Sequence, residues 1–323
     1  MSTYLETTYD VYREAAHKPQ ASLCCTTSKP YAFPGLVIPK QMLEMNYGCG
    51  TTIHIQDLRP DMTILYVGVG GGMEALQFAY FTRRPGSVIA VDSVPEMLEK
   101  ARENLEIAAE QNPWFDPSFV ILKEGNALDL PIADDTVDLA AQNCLFNIFV
   151  SHDLEKALQE IHRVLRKGGM LSNSDPISED PIPDHLRADE RLRAQCLSGA
   201  ISLSEYVNAI TNVGFGTVEI RGRRPYRLLD QRRFDVPKDI LLESVEVAAY
   251  KDTMPNDGPC VFTGRSVFYT GGEACFDDGN GHNVIPDVPL AVCDKTARWF
   301  EQQEREDIFV TPSTYHYGGG GCC

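Results

Sequence analysis

Short apolar runs and longer amphipathic stretches alternate along the chain from about residue 62 to residue 175. The runs predict strands over 63–67, 87–92, 118–123, 137–142 and 170–175, and the stretches predict helices over 73–82, 95–110 and 152–166, with Gly168 and Gly169 ending the last of them. Strands alternating with helices in this way imply an α/β fold built on a doubly wound parallel sheet. Ahead of it, Tyr4, Val11, Tyr12 and Ala15 recur at helical spacing, and a polar stretch then leads to Cys24 and Cys25. This reads as a helix followed by a mobile loop bearing thiols.

After Asp175 a Pro-rich run breaks the alternation. A helical stretch over 184–197 and a second helix capped by Ser202 or Ser204 follow, and 216–272 reads as short strands with one helix. The expected division is 1–50 (helix and thiol loop), 51–183 (the sheet domain), 184–272 (a smaller α+β module) and 273–323 (a mobile tail with a helical patch near 296–305, ending in four glycines).

Composition narrows the function classes. A formal charge of -17 over 323 residues argues against a partner such as a phosphate backbone or an anionic membrane, which is bound through clustered Lys and Arg. A small-molecule substrate is expected instead, with no nucleic acid and no membrane as partner. No apolar stretch approaches the roughly 20 residues that span a bilayer, and no leader-like segment opens the chain, so a cytoplasmic protein is expected; a monomer is compatible with the sequence. Ten cysteines are too few for a small disulfide-stapled scaffold and show neither C-x-x-C pairs nor zinc-ligand spacing. They read as packed thiols, redox thiols, or ligands for something softer than zinc. Arg221 to Arg233 contains six arginines, which read as partners for the acidic surface.

The first predicted strand runs into Gly68-x-Gly70-x-Gly72 and then a helix. Such a turn lets a ligand approach the backbone and offers helix N-H groups to it. Asp92 ends the next strand, where a carboxylate can accept both ribose hydroxyls of an adenosyl group, and Asn126 follows the third strand, where an amide can read adenine. The run Glu124-Gly125-Asn126-Ala127-Leu128-Asp129-Leu130-Pro131, the later Asp134 to Asp138, and Glu160 to Gly169 resemble the signatures of class I (Rossmann-like) methyltransferases. That resemblance implies S-adenosyl-L-methionine as cofactor. In one respect the chain departs from the pattern: Tyr66 stands where many members carry an acidic residue touching the methionine amine.

Four further patterns occur in order: Leu23-Cys24-Cys25-Thr26-Thr27, Asn46-Tyr47-Gly48-Cys49-Gly50, Gln142-Asn143-Cys144-Leu145-Phe146-Asn147, and Gln195-Cys196-Leu197-Ser198-Gly199-Ala200. Together they resemble the arsenite methyltransferases, and the Gly-Gly-Gly-Gly-Cys-Cys ending resembles the short-tailed members associated with arsenosugar production. The resemblance implies that Cys144 and Cys196 hold trivalent arsenic with Cys49 as the third sulfur or a resolving partner, that Cys24 with Cys25 is the redox thiol, and that Tyr47, Gly48, Ala127 and Asn143 join Gly68, Gly70, Gly72, Asp92 and Asn126 around the cofactor. Arsenite or methylarsenite would arrive as thiol conjugates, and a glutathione or thioredoxin system would serve as reductant.

The chemistry suits these residues. Trivalent arsenic is thiophilic, and three sulfurs leave its lone pair free to attack a sulfonium methyl without any proton removal, so catalysis rests on positioning. Methyl transfer raises arsenic to the pentavalent state. Paired cysteines can return two electrons by forming a disulfide, which an external thiol then reduces. Two other readings stand beside this one: a quinone- or sterol-type methyltransferase, which gives the cysteines no task, and a non-catalytic metalloid-binding protein. Cys260, Cys275 and Cys293 read as packing residues. Cys322 and Cys323 read as a metalloid-capturing pair or as incidental.

Overall fold

The computed structural model describes residues 3–20, 23 and 31–315. In chain order its elements begin with α1 (Thr3–His17), α2 (Lys40–Glu44), β1 (Ile64–Val67), α3 (Met73–Thr82), β2 (Val88–Asp92), α4 (Pro95–Gln111) and β3 (Val120–Glu124). Then come β4 (Val137–Asn143), α5 (Ser151–Val164), β5 (Leu165–Ile177), α6 (Asp184–Arg187), α7 (Glu190–Ala194), α8 (Leu203–Asn212), β6 (Thr217–Leu229), α9 (Gln231–Phe234), β7 (Ile240–Tyr250) and β8 (Cys260–Phe262).

These strands form one eight-stranded sheet in the order β3-β2-β1-β4-β5-β7-β6-β8. The five strands from β3 to β5 pair in parallel, whereas β5 with β7 and β7 with β6 are antiparallel. The expected doubly wound sheet is thus present, extended by an antiparallel flank. Every residue of β1 is buried, because helices cover both faces of a parallel sheet. Leu65 and Val67 enter one core layer, and Ile64 and Tyr66 the other. On α5 the buried residues Leu154, Ala157, Leu158, Ile161 and Val164 recur every three or four positions, which lays one stripe of the helix on the sheet. Ser202 caps α8 in a reciprocal box with Glu205.

Several expectations change. Gly168 and Gly169 do not end a helix; α5 stops at Val164 and the glycines lie inside β5. A Cβ on Gly169 would lie 2.9 Å from the Arg166 carbonyl, and Gly168 has φ +77°, so glycine lets the strand kink where its register with β4 shifts. The 184–197 stretch is broken into two short helices, the second capped by Asp189, whose carboxylate accepts from Leu192 N-H. The strands of 216–272 are not all short: β6 and β7 span 13 and 11 residues and share the sheet with 51–183.

Residues 273–315 do not form a mobile tail. With β9 (Arg265–Tyr269) they build β10 (Phe276–Asp277), β11 (Asn283–Val284), β12 (Leu290–Val292), α10 (Asp294–Gln302) and β13 (Ile308–Val310) around a core of Val267, Tyr269, Val284, Val292, Ala297 and Phe300. Those apolar residues are too scattered in sequence to show a period, yet they converge. The loop bearing Cys24 and Cys25, and the terminal Cys322 and Cys323, lie outside the described residues. Among the described residues no helix is long and apolar enough to cross a membrane. Three of the six arginines of the run are paired as expected: Arg221 with Asp57 and Glu219, Arg223 with Glu179 and Glu243, and Arg224 with Glu246.

Candidate functional site

A cavity of about 350 Å³ opens along the carboxyl ends of β3, β2, β1 and β4, the edge at which open α/β sheets place ligands. Gly68 and Gly70, which follow β1, line it with φ of +81° and +52°, a conformation that glycine adopts without strain. A Cβ on Gly70 would meet nothing within 4 Å, so the turn presents bare backbone to the cavity. Gly72 does not line it; with φ +86° it starts α3 and packs near Met42 and Ala101. Ser93, Val94, Gly125, Asn126 and Ala127 complete this end of the cavity.

Asp92 lies between the two strand ends with its carboxylate facing the turn. Val94 N-H donates to it at 3.0 Å and Gly70 N-H at 3.5 Å. Burial nevertheless outweighs these donors and pushes its carboxyl pKa up to about 6. Asn126 holds its own turn, with its side-chain oxygen accepting from Leu128 N-H at 2.9 Å. A carboxylate for vicinal hydroxyls, an amide beside it and exposed backbone N-H groups suit an adenosyl moiety. When bound, S-adenosylmethionine supplies an electrophilic methyl on a sulfonium; the residues named here would hold its nucleoside.

The opposite end of the cavity is organised by Asn143. Its side-chain oxygen accepts from Cys49 N-H at 3.0 Å, and its amide donates to the Gly50 carbonyl at 3.1 Å and to Glu74 at 3.2 Å. Gly48 is required here, because a Cβ would lie 2.4 Å from the Asn143 amide nitrogen. Tyr47, Gly48, Asn143 and Cys144 all line the cavity. So do Leu5, Thr8, Tyr9 and Tyr12 of α1, which sequence reading took only as a helix leading to the thiol loop. Tyr4 to Asp153, and Thr3 and Thr7 to Glu190, fasten α1 against α5 and α7.

Cys49, Cys144 and Cys196 are all buried, and they meet in one corner at the ends of β4 and β5. Cys49 Sγ lies 3.4 Å from Ser174 Oγ, Cys144 N-H donates to the Ser174 carbonyl at 2.7 Å, and Cys196 Sγ donates to the Cys144 carbonyl at 2.9 Å. Of the three, only Cys144 lines the cavity. Among the described residues no group of three or more His, Cys, Asp or Glu is arranged to hold a metal ion, so the corner is not a preformed three-sulfur cluster. Cys196 does not sit on a helix as expected but just past α7. It and Cys144 hold left-handed backbone, with φ of 59° and 65°, which is costly for a residue with a Cβ.

The buried carboxylate of Asp175, which sequence reading used only as a strand end, supports this corner. It accepts from Gln142, from Tyr206 Oη at 2.6 Å and from Asn147 N-H at 3.3 Å. Asn147 in turn donates to the Cys196 carbonyl at 3.1 Å, and Gln142 accepts from Leu145 N-H at 2.8 Å. Burial pushes the Asp175 pKa up to about 7 despite these donors.

The family model described as "Methyltransferase domain" matches residues 58–233, from just before β1 to α9. The arsenite methyltransferase of Halobacterium salinarum is 30% identical over 177 residues, covering 55% of this chain but only 43% of that protein. The arsenite methyltransferase of Aquipseudomonas alcaligenes is 27% identical over 317 residues, covering 94% of this chain and 90% of its own length. The crystal structure of an arsenic(III) S-adenosylmethionine methyltransferase from Chlamydomonas reinhardtii shares the fold, with a TM-score of 0.60 at 21% identity over 89% of this chain and 99% of that one. A cavity whose lining suits an adenosyl group, on a fold and a sequence that the family model matches over more than half its length, leads to one conclusion: the chain belongs to the methyltransferase-domain family and is an S-adenosylmethionine-dependent methyltransferase.

Proposed function

We propose that this methyltransferase acts on trivalent arsenic held by cysteine thiolates, giving methylated arsenicals. The observation that carries the reading is the position of Cys144 at the end of the cofactor cavity, with Cys49 and Cys196 directly behind it. A thiophilic substrate bridged by these sulfurs would meet the methyl donor at the cavity wall where, among the described residues, a cysteine lies. The arsenite methyltransferases to which the chain is similar support the same substrate. Completing the sulfur set requires the Cys196 thiol to leave the Cys144 carbonyl. Turnover then depends on a thiol reductant, glutathione or thioredoxin, acting through Cys24 and Cys25.

The experiment is product analysis by chromatography with arsenic-specific detection after mixing the protein with arsenite, S-adenosylmethionine and glutathione. The intact chain is expected to methylate arsenic, and Cys144→Ser to lose at least about 100-fold, since misplacing the acceptor removes the positioning on which the rate depends. Unmethylated arsenic throughout, with the cofactor still bound, would sink the substrate assignment and favour a quinone- or sterol-type acceptor.

A further inference from the structure

Glu74, the second residue of α3, is 4% exposed and lines the cavity. Its Oε1 accepts from Thr52 N-H at 3.0 Å, and its Oε2 accepts from Tyr66 Oη at 2.6 Å and from Asn143 at 3.2 Å. All three donors are neutral. Among the described residues Glu74 takes part in no ion pair, although twenty such pairs occur elsewhere. A buried carboxylate without a cation is costly, and burial accordingly drives its pKa upward. A carboxylate offers about four acceptor positions, and none of those filled here is taken by a cation.

The sheet order says which part of a ligand reaches it. Asn126 and Ala127 follow β3 and Asp92 ends β2, so an adenosine held there directs its amino-acid chain over β1, toward Tyr66 and Glu74, with Cys144 beyond, just past the end of β4. That chain carries an α-ammonium. Tyr66 cannot receive it as an anion, since its own hydroxyl is committed to Glu74 and its pKa is raised well above the usual phenol value. Resting on the reading of the cavity as the cofactor site, we propose that Glu74 receives the α-ammonium of the cofactor's methionine moiety, held in place by Tyr66 and Asn143. The acidic group absent from the end of β1 is thus supplied by the first turn of α3, and Tyr66 bridges strand to helix.

The test compares the dissociation constants of S-adenosylhomocysteine and methylthioadenosine by titration calorimetry. The two share the adenosine and the thioether sulfur, but the second lacks the amino-acid end. Glu74→Gln keeps the shape and removes the charge. It is expected to weaken S-adenosylhomocysteine about 10- to 100-fold, the size of one charge-assisted hydrogen bond, and to leave methylthioadenosine within about twofold. Should that variant not fold, Glu74→Asp, which withdraws the charge by one methylene, is expected to show the same contrast at smaller size. Equal losses for both nucleosides, or none for either, would overturn the proposal by making Glu74 a purely structural residue. A wild-type chain that binds neither nucleoside would instead overturn the cavity reading itself, and this assignment with it.

Discussion

The two ends of the cavity are built on different principles. At the end proposed to take the nucleoside, Gly68, Gly70, Asp92 and Asn126 lie at or within three residues of the ends of β1, β2 and β3, and much of the lining is backbone. At the thiol end, Cys49, Cys144 and Cys196 come from three distant stretches and depend on Asn143, Ser174 and Asp175 to bring them together. The first end is made by local geometry, the second by tertiary hydrogen bonds. It follows that the two should fail separately.

The largest expected effect tests that separation. Asp92→Ala should weaken S-adenosylhomocysteine binding about 100-fold, the loss of two hydrogen bonds to a charged acceptor, while retention of arsenite on the protein stays unchanged. Cys196→Ser should do the reverse, and loss of both capacities in either variant would show one coupled site. A smaller effect comes with pH. The Asp92 pKa is pushed up to about 6, so a carboxylate able to accept hydroxyls is lost as pH falls through that value. Cofactor affinity should therefore decline below about pH 6, and Asp92→Asn should flatten the profile measured by calorimetry.

The smallest effect sharpens the comparison from the thiol side. Asp175 is raised from 3.8 to about 7 in the folded chain. A carboxyl whose folded pKa exceeds its unfolded value binds its proton more tightly when folded, so its contribution grows as pH falls from above 7 toward 4 and is lost as pH rises through about 7. Asp175→Asn, which keeps the shape without the charge, should reduce that slope of thermal stability against pH by a few degrees at most. An unchanged slope would show that another group sets it.

Much of the nucleoside end could be read from the chain, because strand, glycine turn and helix are contiguous and each leaves its own period. The helix α3 was legible to the residue, yet Glu74 on it was not singled out. Nothing in an amphipathic stretch reveals that one carboxylate turns inward to meet Tyr66. The three cysteines were legible only as a set of separated patterns. Their relation to Asp175, and the left-handed turns that carry two of them, arise from the fold. The glycines at 168 and 169 misled for a related reason: a glycine pair marks a helix end or a strand kink equally well, and only the pairing of β4 with β5 decides between them. The helical patch near 296–305 is α10, but the core residues Val267, Tyr269, Val284 and Val292 that it packs on are scattered in sequence, so composition suggested a tail.

The backbone of Cys144 and Cys196 bears on how such a corner persists through time. Both occupy left-handed conformations that asparagine or glycine tolerates better, at a cost on the order of 1–3 kcal/mol each. As far as the backbone is concerned, random substitution is drawn away from cysteine at these two positions. A lineage that no longer used the sulfurs would be expected to shed them early, so their joint presence in a related sequence is a record of continued use.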